Sequence, residues 1–243
     1  MSPVSPPSGA AARRERADLP APAQFQATRD PGSDAFHLAR AAAVFREFMI
    51  SLGLEPGDPN LAGTDRRVAR AYAELFRGLA PASEPAFTTF ANAERHQGIV
   101  SLTDIAFFSM CAHHFLPFFG RAHVGYVPGE RLAGLSKLAR VVDFYARRPQ
   151  LQEHMTEQIA TFLEDRLEPG GVIVVLEARH LCLEMRGIAK PGAVTTTLAT
   201  RGALASEPLQ REFLARLRGA RRRTSTWEIR PWCTTGTSLS AAA

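Results

Sequence analysis

The run Phe107-Phe-Ser-Met-Cys-Ala-His-His-Phe-Leu-Pro117 sets Cys111, His113 and His114 inside an otherwise apolar stretch. A Cys-x-x-His step brings a thiolate and an imidazole close enough to share one metal ion. Taken alone the step is weak, because cysteine is often a buried apolar residue and histidine a satisfied core residue. Whether the run is a metal site or part of the core therefore depends on the rest of the chain.

A second segment, Arg179-His-Leu-Cys182, supplies the further ligand that a metal site would need. The two segments together hold three of the seven histidines and two of the three cysteines. Two ligands do not close a tetrahedral zinc site, whereas three leave the fourth position open for water, as catalytic zinc sites require. The two segments together favour a metal site over a place in the core.

Alternating side chains predict strands on both sides of the first run, at about 99–110 and 118–127. The second segment also alternates and is predicted to be a strand, with Leu181, Leu183 and Met185 turned toward the core. That strand would place four polar side chains on its other face, which we expect to line a pocket or a subunit interface: His180, Cys182, Glu184 and Arg186.

Apolar residues at helical spacing predict two helices before these strands, two after them and one near the end. Thr64 is the expected cap of the second helix, Ser136 precedes the third, and Pro169-Gly-Gly171 ends the fourth. Further strands are predicted from Val172 and over about 194–203. The order of helices, two strands, two helices, two strands and helix indicates an α+β fold with mainly antiparallel pairing.

Length and composition fit one sizeable domain with tails. The chain has 243 residues, of which 45% are apolar and 22% charged. Six prolines predict a disordered arm over 1–33, a folded domain spans 34–218, and 219–243 is predicted to be a basic, disordered tail. Three cysteines without a signal peptide indicate a reducing compartment, which predicts a cytoplasmic protein, and no apolar run is long enough for a membrane span.

The net charge of +5 suits an anionic ligand, but much of the excess lies in the arginine-rich tail. A nucleic-acid-binding protein is therefore one alternative, which the lack of an aromatic-lined β platform argues against. Only Lys137 and Lys190 are lysines among the 29 cationic residues. That bias draws attention to Lys137.

Several segments resemble the signature segments of GTP cyclohydrolase I, in one order and with similar spacing over about residues 36–218. The helix start Gly63-Thr-Asp-Arg-Arg-Val-Ala69 is similar to that family as well. The signature segments are Ser109-Met-Cys-Ala-His-His114, Gly134-Leu-Ser-Lys-Leu-Ala-Arg140, Arg148-Pro-Gln-Leu-Gln-Glu153, His180-Leu-Cys182 and Met185-Arg-Gly187.

The resemblance implies the tunnelling fold: a ββαα-type antiparallel sheet with helices on one face, preceded by N-terminal helices. Subunits of that fold join their sheets into a barrel, here as a homodecamer with sites at subunit interfaces. The implied reaction is zinc-dependent hydrolysis of GTP, with release of C8 as formate and closure to 7,8-dihydroneopterin triphosphate. This is the first step of pterin and tetrahydrofolate biosynthesis. Residues 34–218 would be the catalytic domain, with a helical part over 34–98 and a tunnelling-fold part over 99–218.

The resemblance also implies roles for the residues of the two segments. Cys111, His114 and Cys182 would hold Zn²⁺, which lowers the pKa of its water and delivers hydroxide to C8. His113 would protonate the imidazole ring nitrogen of the purine, and His180 would transfer a proton as the ring opens. The alternative role for His113 is to orient the metal ligands.

By the same resemblance Glu153 reads guanine, because its two oxygens accept hydrogen bonds from N1–H and the 2-amino group. The alternative role of Glu153 is a favourable charge at a helix N-terminus, and Gln152 would assist at the base. Guanidinium groups and helix N-termini suit phosphate, although any one arginine is more often a solvated surface charge. The residues expected to hold the ribose and triphosphate are Ser136, Lys137, Arg140, Arg186 and Arg67.

Two positions in these segments depart from the family pattern. Ala112 stands where the family usually has glutamate, and Thr64-Asp-Arg-Arg67 replaces the expected Thr-Pro-x-Arg. A paralogue of specialised metabolism, acting on GTP or a related purine nucleotide, is therefore an alternative. Another is a non-catalytic, zinc-containing nucleotide-binding homologue, against which the presence of both His113 and His180 argues.

Overall fold

A computed structural model describes residues 34–221 of the chain. The predicted arm, residues 222–243 of the predicted tail, and with them Cys233, lie outside the described residues. No helix within the described part is long and apolar enough to cross a membrane. The helices are α1 (Asp34–Ser51), α2 (Thr64–Leu75), α3 (Leu135–Ala146), α4 (Gln152–Leu167), the single turn α5 (Leu181–Glu184) and α6 (Glu207–Arg221).

The strands of the described chain are β1 (Thr89–Ala91), β2 (Val100–Cys111), β3 (Pro117–Val127), β4 (Arg131–Ala133), β5 (Pro149–Gln150), β6 (Gly171–His180) and β7 (Val194–Gly202). Five of them form a central sheet in the order β5-β2-β3-β6-β7. All neighbours in this sheet are antiparallel except the short parallel pair of β2 with β5, which confirms the predicted α+β plan. The other two strands, β1 and β4, pair with each other.

The main core lies between one face of the sheet and helices α3 and α4. Each helix carries an apolar stripe at helical spacing, such as Met155, Ile159 and Leu163 on α4, and this stripe is fully buried. Because strand side chains alternate, the opposing face of the sheet presents Val124 and Val174, which belong to the same cluster. Hydrophobic burial on this face holds the two helices on the sheet.

Helix α6 covers part of the opposite face, where Phe213 packs in a second cluster with Ile173 and Val175. Gly125 makes room for it, since a Cβ atom there would lie 2.6 Å from the Phe213 ring. The expectation of helices on one face only is therefore wrong for this chain. The physical reason is the buried apolar stripe of α6, which needs a partner surface.

The predicted strand over 180–186 is also wrong. Strand β6 ends at His180, and α5 follows as one helical turn. The Arg179 guanidinium donates two hydrogen bonds to Glu184, at 2.8 and 2.5 Å, and the Lys190 N–H donates to the Leu183 carbonyl at 3.0 Å. These contacts fold the chain back, so Cys182 and Arg186 do not lie along an extended strand.

The cap of helix α2 lies one residue before the predicted cap, Thr64. Gly63 occupies the cap position with φ of 72°, in the left-handed region that favours glycine, and Thr64 is the first helical residue. Helix α3 likewise begins at Leu135, so Ser136 lies inside its first turn.

Strand ends converge at one end of the central sheet. Cys111, the last residue of β2, pairs with Gln150 of β5, which places the start of α4 beside it. On β3, Phe118 pairs with His180, the last residue of β6. Both histidine-containing segments therefore meet at this end of the sheet.

Candidate metal centre and active site

Cys111, His114 and Cys182 form one cluster. Their ligand atoms all lie within 4.8 Å of one another, with 3.8 Å between the Cys111 Sγ and the His114 Nδ1. Cys111 is buried at the end of β2, His114 is exposed in the turn that follows, and Cys182 is half-buried on α5. The turn is closed by the Phe115 N–H donating to the Cys111 carbonyl at 2.8 Å.

This donor set fits a zinc ion. Zinc–sulfur and zinc–nitrogen bonds of about 2.3 and 2.0 Å in a tetrahedron place ligand atoms roughly 3.5–3.8 Å apart. The separation of 3.8 Å between the Cys111 Sγ and the His114 Nδ1 is at the upper end of that range, and the other two separations do not exceed 4.8 Å. Burial, and next the neighbouring Cys111 thiol, raise the pKa of Cys182, and a bound cation would reverse this because it favours thiolates. The cluster therefore could hold a metal with three protein ligands.

His180 is held in place on two sides. Its ring stacks on Phe118, with centroids 4.6 Å apart and an interplanar angle of 1°. The His180 Nε2 lies 2.8 Å from the Gln152 Oε1. Burial lowers the pKa of His180, against the opposing charges of Glu153 and Glu184.

Gln152 fixes which nitrogen of His180 carries the proton. The buried Gln152 amide nitrogen has three acceptors within reach: the Leu176 carbonyl at 3.1 Å, the Thr195 carbonyl at 3.0 Å and the Thr197 hydroxyl at 3.1 Å. Its oxygen must therefore face the imidazole, so that the His180 Nε2–H donates to it. The Nδ1 of neutral His180 is then the acceptor, free to receive a proton.

Other predicted residues surround this cluster. Glu153 is exposed in the first turn of α4, close enough for its charge to raise the pKa of His180. Arg186 is exposed just beyond α5, and its charge acts to lower the pKa of Cys182. The exposed His113 ring lies 6.2 Å from that of His114, at 89°. The structure thus gathers acid–base, carboxylate and guanidinium groups around the three ligands.

The remaining predicted residues lie on helices α2 and α3. Ser136, Lys137 and Arg140 are on α3, and within residues 34–221 no hydrogen bond or ion pair joins them to it. The Arg67 guanidinium donates to the Ala62 carbonyl at 2.9 Å and to the Thr64 hydroxyl at 2.7 Å, at the start of α2. One chain therefore brings Glu153, Arg186 and the two remaining histidines near the three ligands. The other four residues expected to hold the ribose and triphosphate have no hydrogen bond or ion pair to the cluster among the described residues.

Three features of the site escape sequence reasoning. Phe118 reads as an ordinary apolar strand residue, yet its ring supports His180. Thr197 reads as part of a threonine-rich strand, yet its hydroxyl contacts both Gln152 and Thr156, at 3.1 and 2.6 Å. Arg179 reads as a surface charge, yet it binds Glu184 and so shapes α5. The roles of Phe118 and Thr197 depend on residues far away in the sequence, whereas Arg179 acts on a residue five positions away.

Comparison with known proteins adds an independent observation. The family model described as GTP cyclohydrolase I matches residues 41–218. The GTP cyclohydrolase 1 of Mycolicibacterium vanbaalenii is 52% identical over 178 residues, which is 72% of this chain and 88% of that protein. That of Thermobifida fusca is 52% identical over 166 residues, 68% of this chain and 80% of that protein.

A solved structure, the archaeosine synthase QueF-Like in the apo form, aligns with a TM-score of 0.37 and 18% identity, over 44% of this chain and 95% of that one. The family match covers both histidine-containing segments, the sheet and the helices α3 to α5. The chain belongs to the GTP cyclohydrolase I family.

Proposed function

We propose that this protein hydrolyses GTP, releases C8 of the purine as formate and forms 7,8-dihydroneopterin triphosphate, with residues 34–218 as the catalytic domain. The cluster of Cys111, His114 and Cys182 is the single observation that carries this proposal. It lies in the part of the chain that matches the GTP cyclohydrolase I family, whose named members act on GTP. We expect the reaction to start pterin and tetrahydrofolate synthesis in the cytoplasm.

We propose Zn²⁺ as the metal, because two thiolates and one imidazole bind zinc in preference to harder cations such as Mg²⁺. Held by these three side chains, zinc supplies Lewis-acid activation of water at neutral pH. The exposed position of His114 leaves one side of the cluster open for substrate. The protein's own residues then have to bind the purine, orient it and move protons.

The two histidines outside the ligand set suit the proton transfers. His180 presents Nδ1 as an acceptor, because its Nε2–H is engaged by Gln152. His113 follows the buried Cys111 by two residues and is exposed, so it is free to donate a proton to the purine nitrogen. General acid–base catalysis of this kind contributes typically about 10²–10⁴-fold.

Glu153 suits recognition of the base. Its carboxylate is exposed at the start of α4, near His180. Two acceptor oxygens match the N1–H and 2-amino donors of guanine, whereas adenine presents no such donor pair. Gln152 has its amide nitrogen engaged within the protein, so its expected assistance at the base would act through the orientation of His180.

We further propose that the working protein is a homodecamer with sites at subunit interfaces. His113, His114 and Arg186 are all exposed in the single chain, which leaves the cluster open. Among the described residues, no hydrogen bond or ion pair joins Arg67, Ser136, Lys137 or Arg140 to the cluster. A neighbouring subunit would bring such groups to it and enclose the substrate.

An assay with purified, zinc-loaded protein and GTP tests the reaction. We expect one formate to be released for each dihydroneopterin triphosphate formed, and no turnover of ATP. Formate analysis and absorbance measure the two products. In Glu153→Gln a donor replaces one carboxylate acceptor facing guanine, which costs roughly 1.5–3 kcal/mol, so turnover should fall at least about tenfold while zinc stays bound. The absence of formate from a zinc-loaded, fully assembled protein would refute the proposal.

Ala112 favours a second candidate, a paralogue of specialised metabolism. Its N–H donates to the Gln150 carbonyl at 2.9 Å, so the residue is fixed directly beside Cys111, where the family usually has a carboxylate. Loss of that charge changes the field at the metal cluster. Comparison of kcat/KM for GTP with that for related guanine nucleotides, in the wild type and in Ala112→Glu, distinguishes the two candidates.

A further inference from the structure

A second polar cavity lies away from the metal cluster, between the C-terminal half of α3 and the short helical turns that follow α2. Its volume is about 300 Å³. Three arginines from these two elements line it: Arg77, Arg140 and Arg147. Asp143 is the one carboxylate among the lining residues, so the pocket carries an excess of positive charge. We call it the arginine pocket.

None of these three arginines has an ion-pair partner within the described residues. Six other arginines among the described residues are paired with carboxylates: Arg46, Arg166, Arg179, Arg201, Arg211 and Arg216. In addition, the Nε of Arg147 is buried and has no hydrogen-bond partner there. A buried donor without a partner is costly, and this indicates a missing acceptor.

The walls of the pocket are fixed to each other. The Gly78 N–H donates to the Arg147 carbonyl at 2.9 Å, and the Arg148 Nε donates to the Gly78 carbonyl at 2.8 Å. A Cβ atom at residue 78 would lie 2.2 Å from the Phe144 carbonyl oxygen, so only glycine permits this approach. The three guanidinium groups therefore come from a rigid frame, which lowers the entropic cost of binding.

Helix geometry gives Arg147 an ordinary role, since a cation at the end of α3 interacts favourably with the helix dipole. That role does not account for Arg77, which lies on a different element, or for the unbonded Nε of Arg147. Ser136, Arg140, Asp143 and Arg147 follow three- and four-residue spacing and so lie on one face of α3. The pocket therefore continues the face on which we expect the triphosphate.

We propose that the arginine pocket binds a phosphate group, with Arg77 and Arg147 as its distinctive ligands. Guanidinium groups bind phosphate oxygens through paired, charge-assisted hydrogen bonds, and the Arg147 Nε–H gains the acceptor it lacks. Neither Arg77 nor Arg147 belongs to a segment on which the family resemblance depends. The phosphate comes either from the end of the substrate's triphosphate or from free inorganic phosphate.

Titration with inorganic phosphate, followed by ³¹P NMR on the zinc-loaded full chain, tests the site. In Arg77→Ala/Arg147→Gln we expect the dissociation constant to rise at least about tenfold. The matched control, Arg70→Ala/Arg211→Ala, removes two exposed charges elsewhere and should change it less than about twofold. Arg77→Ala alone, at an exposed position, shows the same direction if the double variant folds poorly.

Two results would overturn the proposal. One is equal weakening in the pocket variant and the control, which would reduce the effect to net charge. The other is a lack of phosphate binding by the wild type. Addition of GTP identifies the source: displacement of phosphate assigns the pocket to the substrate's triphosphate, and simultaneous binding assigns it to free phosphate. Phosphate binding without GTP turnover would refute the proposed reaction and leave this site intact.

Discussion

Cys182 is the residue on which the metal site depends most, because it comes from a different element than Cys111 and His114. We expect close to one zinc per chain in the wild type and loss of zinc in Cys182→Ser, since a neutral hydroxyl replaces a thiolate ligand. Cys233→Ser, outside the described residues, is the matched control and should keep zinc. Full occupancy in Cys182→Ser, measured by metal analysis, would rule out the three-ligand assignment.

His113 and His114 separate chemistry from metal binding. His114 contributes Nδ1 to the cluster, whereas the centroid of the His113 ring lies 6.2 Å from that of the His114 ring. We expect His113→Ala to keep zinc and GTP affinity while turnover drops by about 10²–10⁴-fold. His114→Ala should lose zinc and turnover together. Metal analysis and GTP binding on both variants decide the assignment, and zinc loss in His113→Ala with retention in His114→Ala would reverse it.

At the scale of elements, strict alternation is what made β3 predictable from the sequence. Ala122, Val124 and Tyr126 are wholly buried on one face, as the pattern requires. The same kind of alternation misleads over 180–186, because α5 is fixed by the Arg179–Glu184 pair and not by a strand partner. Similarly, β1, β4 and β5 have two or three residues each, too few to leave a period in the sequence.

The metal ligands of the candidate site were predictable from the sequence, whereas the hydrogen bonds around them were not. The ligand types and their spacing indicated a metal cluster, and Cys111, His114 and Cys182 do lie together. The network around His180 was not predictable, because it joins Gln152 on α4 to Thr197 on β7, 45 residues away. Only the packing of α4 against β6 and β7 brings these polar groups into contact.

Tyr126 connects β3 to the short strand β4 and gives a test at this scale. The buried Ala133 N–H donates to its hydroxyl at 2.9 Å, so Tyr126→Phe should cost roughly 1–2 kcal/mol by leaving that donor unsatisfied. Burial also raises the pKa of Tyr126. The Ala133 N–H acts the other way, because it donates to a phenolate as well. Since the folded pKa is raised, the stability of the buried neutral hydroxyl is fully present below the unfolded value of about 10 and is lost as pH rises through the folded value.

Urea unfolding of wild type and Tyr126→Phe at neutral pH and above pH about 10 measures both effects. The difference at neutral pH reports the hydrogen bond from the Ala133 N–H. Above pH about 10 the wild type should lose stability relative to the variant, because burial disfavours the phenolate. A difference that stays constant across this range would contradict the raised pKa of Tyr126.

At the scale of the whole molecule, the described chain leaves apolar surface uncovered at two places. Strand β7 forms one edge of the central sheet, and Val194 and Leu198 on it are 53% and 39% exposed. Helices α1 and α2 border an apolar groove of about 610 Å³, where Phe48 is 54% exposed. Open sheet edges and exposed apolar patches favour association, which agrees with the proposed decamer.

Leu198→Glu tests whether β7 is a subunit contact. A carboxylate at a buried interface is costly to desolvate, whereas at a position already 39% exposed in the single chain it should leave the fold intact. We expect the particle mass, measured by sedimentation, to fall below that of the decamer. Turnover should fall with it, because the site would lose the groups that a neighbour supplies. Zinc should stay near one per chain, because all three ligands come from one chain.

Ala215→Glu adds the same charge on the exposed side of α6 and serves as the control, with mass and turnover unchanged. The zinc measurement separates two causes of lost turnover: misfolding would release the metal, whereas dissociation would leave it bound. A Leu198→Glu protein with the wild-type mass would remove β7 from the interface. A smaller particle with full turnover would mean instead that one chain completes the site alone, contrary to the proposed sites at subunit interfaces.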